Sequence, residues 1–134
     1  MYTGSCLCGR ISFEISADLA PVQICHCTQC RKAQGSAFAT NIPVNESDVR
    51  FAGEESLKSF ESSPGKQRVF CAECGSAIYS KTEKLPGVLR IRAGTIDGNL
   101  ATRPAAHNFY SDKANWFEIT DGLPKHATKP VSTG

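Results

Sequence analysis

Nowhere in the 134 residues does an apolar run approach the roughly 18 residues that a membrane-crossing helix needs. The opening Met1-Tyr2-Thr3-Gly4-Ser5 also lacks the basic and apolar segments of a secretory leader. These two absences set the expectation of a cytoplasmic protein with no membrane partner. Runs or stripes of lysine and arginine are missing, so no nucleic-acid partner is expected either. No apolar pattern of period 3.6 persists beyond about ten residues, which excludes an architecture built on long helices.

Within those bounds the composition is ordinary for a folded chain, with 40% hydrophobic and 21% charged residues, and the length fits one domain. That domain is expected over residues 1–124. Residues 125–134 carry Pro130 and little apolar content, so a loosely held tail is expected there. Ile11, Phe13 and Ile15 alternate with Ser12, Glu14 and Ser16, which predicts a strand over 10–16. Further short strands are expected at 22–24, at 38–42 closed by Pro43, and at 49–51, 57–61, 67–71, 76–81, 87–93 and 107–110. Turn-forming stretches such as Ser62-Ser63-Pro64-Gly65 separate them. A helical turn is expected over 31–36, ended by Gly35, and another over 112–116 that buries Trp116, the single tryptophan, beside Phe117 in the core. The pattern as a whole predicts an all-β fold.

What the chain does have is cysteine, seven of them in three groups: Cys6/Cys8, Cys25/Cys27/Cys30 and Cys71/Cys74. Thiols in a reducing compartment more often bind metal than pair as disulfides, and an odd number would leave one unpaired. Residues i and i+2 of an extended segment face the same way, so Cys6 and Cys8 can reach one metal, as can Cys25 and Cys27. Cys71-Ala72-Glu73-Cys74-Gly75 has the form of a tight knuckle whose glycine lets backbone amides approach the sulfurs. Spacing leaves the pairing of groups open. The most economical division joins Cys6, Cys8, Cys71 and Cys74 in one closed zinc site and leaves Cys25, Cys27 and Cys30 as an open one, giving two Zn2+ per chain. Closed four-thiolate sites are structural, whereas three protein ligands leave a position for water or substrate. Such thiolate-rich sites also accept iron. With seven thiol protons lost and two dications gained, the formal charge of +2 becomes −1, so the apparent basicity is no sign of a nucleic-acid partner.

An open three-thiolate zinc site can take a further thiol and hold it as thiolate near neutral pH, which suits making or breaking carbon–sulfur bonds with a small aldehyde. Arg31, Lys32, Arg68, Arg90 and Arg92 are the candidates to bind the carboxylates of an acidic thiol such as glutathione. Blander readings stand beside this one. The cysteines could simply pack, or both sites could be structural with His107, His126 or a backbone group completing the second. The chain would then be a non-catalytic zinc-stabilised module for a protein or nucleic-acid partner. His26, between two ligands, is expected to point away from the metal, either supporting the site or lying at the surface. His107, before Phe109 and Tyr110, reads as a hydrogen-bonded packing histidine or a neighbour of the open site.

The blocks Gly4-Ser5-Cys6-Leu7-Cys8-Gly9, Cys25-His26-Cys27-Thr28-Gln29-Cys30-Arg31-Lys32 with Gly35-Ser36, and Phe70-Cys71-Ala72-Glu73-Cys74-Gly75-Ser76 resemble the glutathione-dependent formaldehyde-activating enzyme family, which includes centromere protein V. Gly94-Thr95-Ile96-Asp97, His107 and Asp121-Gly122-Leu123-Pro124 are similar to its later blocks. The resemblance implies a β-tent of small antiparallel sheets, a structural zinc on Cys6, Cys8, Cys71 and Cys74, and a catalytic zinc on Cys25, Cys27 and Cys30. It also implies carbon–sulfur lyase activity, typified by formaldehyde and glutathione giving S-(hydroxymethyl)glutathione.

Overall fold

The computed structural model describes residues 1–129. Among them, ten strands and one α-helix follow in the order β1 (Tyr2–Ser5), β2 (Ser12–Ile15), β3 (Val22–Cys25), α1 (Thr28–Gln34), β4 (Ala39–Asn45), β5 (Val49–Ala52), β6 (Leu57–Ser63), β7 (Lys66–Cys71), β8 (Ala77–Thr82), β9 (Val88–Arg92) and β10 (Pro104–Asn108). The all-β reading holds. A three-stranded antiparallel sheet has the order β1-β2-β5, and a seven-stranded sheet the order β10-β3-β4-β9-β8-β7-β6. The larger sheet is antiparallel except at its edge, where β10 lies parallel to β3. No described helix is long and apolar enough to cross a membrane.

The core forms where the two sheets face each other. Ile11, Phe13 and Ile15 project from the small sheet and its lead-in onto Ile42, Val44, Ile78, Leu89 and Ile91 of the large one. Each such side chain contributes about 1.5–3 kcal/mol by leaving water. Period-2 alternation then sends the intervening residues of β4, β7 and β9 to the opposite face of the large sheet, and past a register irregularity at Ile78 the β8 residue Ser80 joins them.

β1 is tightly enclosed at Gly4, where a Cβ would run into the Phe13 ring of the paired strand β2 and the Thr95 carbonyl in the turn after β9. Gly4→Ala is therefore expected to destabilise the fold by about 1–3 kcal/mol, the usual cost of overpacking. Chemical denaturation would measure it, and an unchanged midpoint would contradict the packing described here.

Several local expectations need correction. Cys6 and Cys8 are not in a strand: β1 ends at Ser5, and the Gly9 amide bonds back to the Cys6 carbonyl at 3.2 Å, closing a turn. The strand expected to end at Pro43 continues through it to Asn45. Pairing with β3 stops at Asn41, so beyond it β4 has a neighbour on one side only and tolerates the missing N–H. The late strand lies earlier, at Pro104–Asn108. Trp116 and Phe117 are 65% and 40% exposed rather than core. The turn of this segment falls at Tyr110–Asp112, so what it delivers to the interior is Ala114, while Trp116 stacks edgewise outside on Phe117 at 6.3 Å. The segment expected to be loose is anchored where it starts. Lys125 bridges to His107, and the amides of Tyr110 and Phe109 bond to the carbonyls of His126 and Thr128. The remainder of that expectation, residues 130–134, lies outside the described residues.

Candidate functional site

The seven cysteines, all free, converge in two groups. In the first, the Cys6/Cys8 turn after β1 meets the Cys71/Cys74 knuckle at the end of β7, so this group staples the small sheet to the large one. Both knuckles end in a glycine with left-handed backbone, Gly9 (φ 80°) and Gly75 (φ 78°), a conformation in which a side chain would be strained. The Ile11 amide donates to Cys6 Sγ (3.3 Å), and Ser76, facing Cys74 through hydroxyl and amide, pulls that thiol down to about 5.

The spacing of the sulfurs tests whether a metal fits. Cys6 Sγ lies 3.5 Å from Cys8 Sγ, which lies 3.8 Å from Cys71 Sγ. A tetrahedron with zinc–sulfur bonds of about 2.3 Å has edges of about 3.8 Å. The donor set fits a metal ion with four thiolates.

The second group is assembled by a strand, a cap and a helix. Cys25 is the last residue of β3, Cys27 caps α1 by accepting the Cys30 amide (3.3 Å), and Cys30 is buried on the helix itself. Their sulfurs all lie within 4.8 Å of one another, and among the described residues no histidine, carboxylate or further cysteine joins them. The hydrogen bonds from the Cys25 and Cys27 thiols, helped by the neighbouring Arg68 guanidinium, hold Cys30 far below the ordinary thiol range. The same two-way contacts with Cys27 and Cys30, with burial added, push Cys25 up. A dication drawing the three sulfurs together would release thiol protons.

Neither His107 nor His126 completes this group. His26 does point away from the sulfurs as expected, but it is wholly buried rather than at the surface. Its Nε2 lies 2.8 Å from His107 Nδ1, and His107 Nε2 lies 2.9 Å from Asp121 Oδ2. The carboxylate accepts from His107 Nε2–H, so His107 Nδ1 accepts from His26 Nε2–H. This chain of three ties the Cys25–Cys27 segment to the C-terminal loop. The hydrogen bond from His107 holds Asp121 below its ordinary 3.8. A depressed carboxylate adds stability that is present above the ordinary value and lost as pH falls through the lower folded one. The wild type is thus expected to lose an increment of stability on acidification below about pH 4. Asp121→Asn should lack that increment, and parallel denaturant titrations at pH 6 and pH 3 would show it. Equal pH dependence of the two proteins would refute the assignment.

The basic candidates divide by position. Arg31 and Lys32 lie with Thr28 and Trp116 around a cleft of about 270 Å3, and Cys30 faces the other way from α1. Arg31 Nη1 is spent on the Asp112 carbonyl at 3.0 Å. Arg68 and Arg92 instead sit beside the three thiols, 4% and 5% exposed. Arg68 Nη2 donates to Gln29 Oε1 (3.5 Å) and lies 3.8 Å from Cys30 Sγ, while Arg92 bonds to Asn41. Burial pushes Arg92 down to about 10, with Arg68 adding like-charge repulsion. The sequence also missed Lys66, pushed down by burial and by Arg68. Its position two residues before Arg68 on β7 was the available signal.

A sequence model described as glutathione-dependent formaldehyde-activating enzyme matches residues 1–112. The chain belongs to that family. A protein of Halomonas elongata, provisionally named as a glutathione-dependent formaldehyde-activating enzyme, is 31% identical over 87% of this chain and 79% of its own. An uncharacterised lyase of Schizosaccharomyces pombe is 30% identical over 58% of this chain and 56% of its own. A family-named protein of Podospora anserina is 33% identical over 61% of this chain, which spans only 40% of that longer relative. Among solved structures, a Rhodobacter sphaeroides protein aligns with a TM-score of 0.62 at 21% identity, covering 77% of this chain and 99% of its own, a likeness of fold.

Proposed function

We propose that the unit over residues 1–124 is a two-zinc carbon–sulfur lyase that condenses a small-molecule thiol with an aldehyde, glutathione and formaldehyde being the pair that the family description names. Cys6, Cys8, Cys71 and Cys74 would hold a structural zinc, and Cys25, Cys27 and Cys30 a catalytic one. The observation that carries this reading is the second group: three half-buried or buried thiols, converging at metal-binding distance, with no fourth protein ligand among the described residues. A zinc ion there supplies a place where a further thiol binds as thiolate at neutral pH.

The chain's own residues would do the rest. The β3–α1 junction sets the three sulfurs, and Arg68 beside Cys30 balances part of their negative charge. Substrate sulfur attacks the aldehyde carbon, forming a C–S bond as the C=O π bond opens onto oxygen. The proton lost by the thiol ends on that oxygen, so the addition consumes no further reagent. The reduced state that seven free thiols require suits the cytoplasm.

Proton exchange NMR on glutathione and formaldehyde decides the matter, because the uncatalysed addition is itself measurable. The zinc-loaded protein should raise the exchange rate between free and hydroxymethylated thiol well above that background. A rate equal to the background at any protein concentration would reject the proposal.

A further inference from the structure

The face of the large sheet turned away from the core carries a row of cations. Arg68 on β7 is paired with Ser80 on β8, and Ser80 with Arg90 on β9, so their side chains share one face with the strands of the two arginines about 10 Å apart. Lys66 and Arg92, each two residues along the same strands, fall on that face too. Asn41 pairs with Arg92, Gln23 with Asn41, and Cys25 lies two residues beyond Gln23, so the row leads directly to the three-thiol group.

Such an arrangement needs an anion. Among the described residues, none of these four cations has a carboxylate within ion-pair distance, the only ion pairs being those of Asp121. The buried Nε and Nη1 of Arg68 and Nε of Arg92 have no hydrogen-bond partner. Burying a guanidinium without a counter-charge is strongly unfavourable. Three thiolates around a zinc dication carry one negative charge, which leaves about three of the four positive charges uncompensated.

Resting on the reading above, the structure assigns this face as the recognition site for the carboxylates of the thiol substrate, with half-buried Lys66 and Arg90 touching the ligand over the charges of Arg68 and Arg92. Uncharged thiols are poor substrates. Arg31 and Lys32, on the far side of α1, take no part.

The test uses S-methylglutathione, which keeps both carboxylates but has no free thiol, and calorimetry on the zinc-loaded protein. Its diethyl ester should bind at least about tenfold more weakly, and so should the acid form to Lys66→Gln or Arg90→Gln, with Arg31→Gln as the unaffected control. Arg68→Lys keeps the buried charge if larger changes disturb folding, and the ester comparison needs no variant at all. Equal binding of acid and ester, no detectable binding of either, or indifference to Lys66→Gln and Arg90→Gln would overturn the assignment. If the acid binds as expected but no thiol shows accelerated exchange with formaldehyde, the recognition site stands and the proposed reaction falls.

Discussion

Cys71→Ser is expected to leave the chain unfolded. Cys71 is fully buried in the core cluster and, with Cys6, belongs to the group that joins the two sheets. Structural zinc contributes about 10–16 kcal/mol in small domains. That equals or exceeds the roughly 5–15 kcal/mol of net stability in a typical domain. Removing one of four thiolates forfeits most of the metal's contribution and puts a hydroxyl where a sulfur was buried. Circular dichroism with metal analysis reads both consequences together. Soluble, folded Cys71→Ser protein with the same metal content as the wild type would show that Cys71 is neither a required ligand nor needed for the fold.

Cys27→Ser is expected to do the opposite: keep the fold and lose the chemistry. Cys27 is half-buried at the start of α1, where its sulfur accepts the Cys30 amide. Serine is among the best residues at this position, so the helix start survives the change. The variant should nonetheless bind one zinc instead of two. Loss of a direct ligand should weaken that ion by more than the roughly 10–100-fold that follows from altering a supporting group, and catalysed exchange should drop to background. Metal content, thermal melting and exchange NMR on one preparation separate the alternatives. A Cys27→Ser protein that melts as Cys71→Ser does would make the second group structural as well, and one with undiminished exchange would move the reaction elsewhere.

The contrast between these two substitutions follows from where each group lies, which the chain order alone does not state. Cysteines i and i+2 read as a strand pair, yet Cys6 and Cys8 occupy a turn; their sulfurs converge all the same because the metal-type spacing survives either backbone. His26 and His107 are 81 positions apart, and no local pattern announces that they meet or that Asp121 continues the chain. Trp116 misled for a related reason: hydrophobicity argues for burial, but the turn fell at Tyr110–Asp112 and aimed Ala114 inward instead.

By itself, the sequence determined the all-β character, through short alternating runs and frequent turns, and the family, through three cysteine blocks in order. Both are local properties, carried by residues a few positions apart. Which basic residues stand beside the thiols was decided only by the tertiary structure. Arg31 is adjacent to Cys30 in the chain but turned to the other side of the helix, whereas Arg68 and Arg92 come from distant strands and lie next to the sulfurs. Strand pairing sets that proximity: register across β7, β8 and β9 places cations in one row, and neither composition nor spacing contains the register.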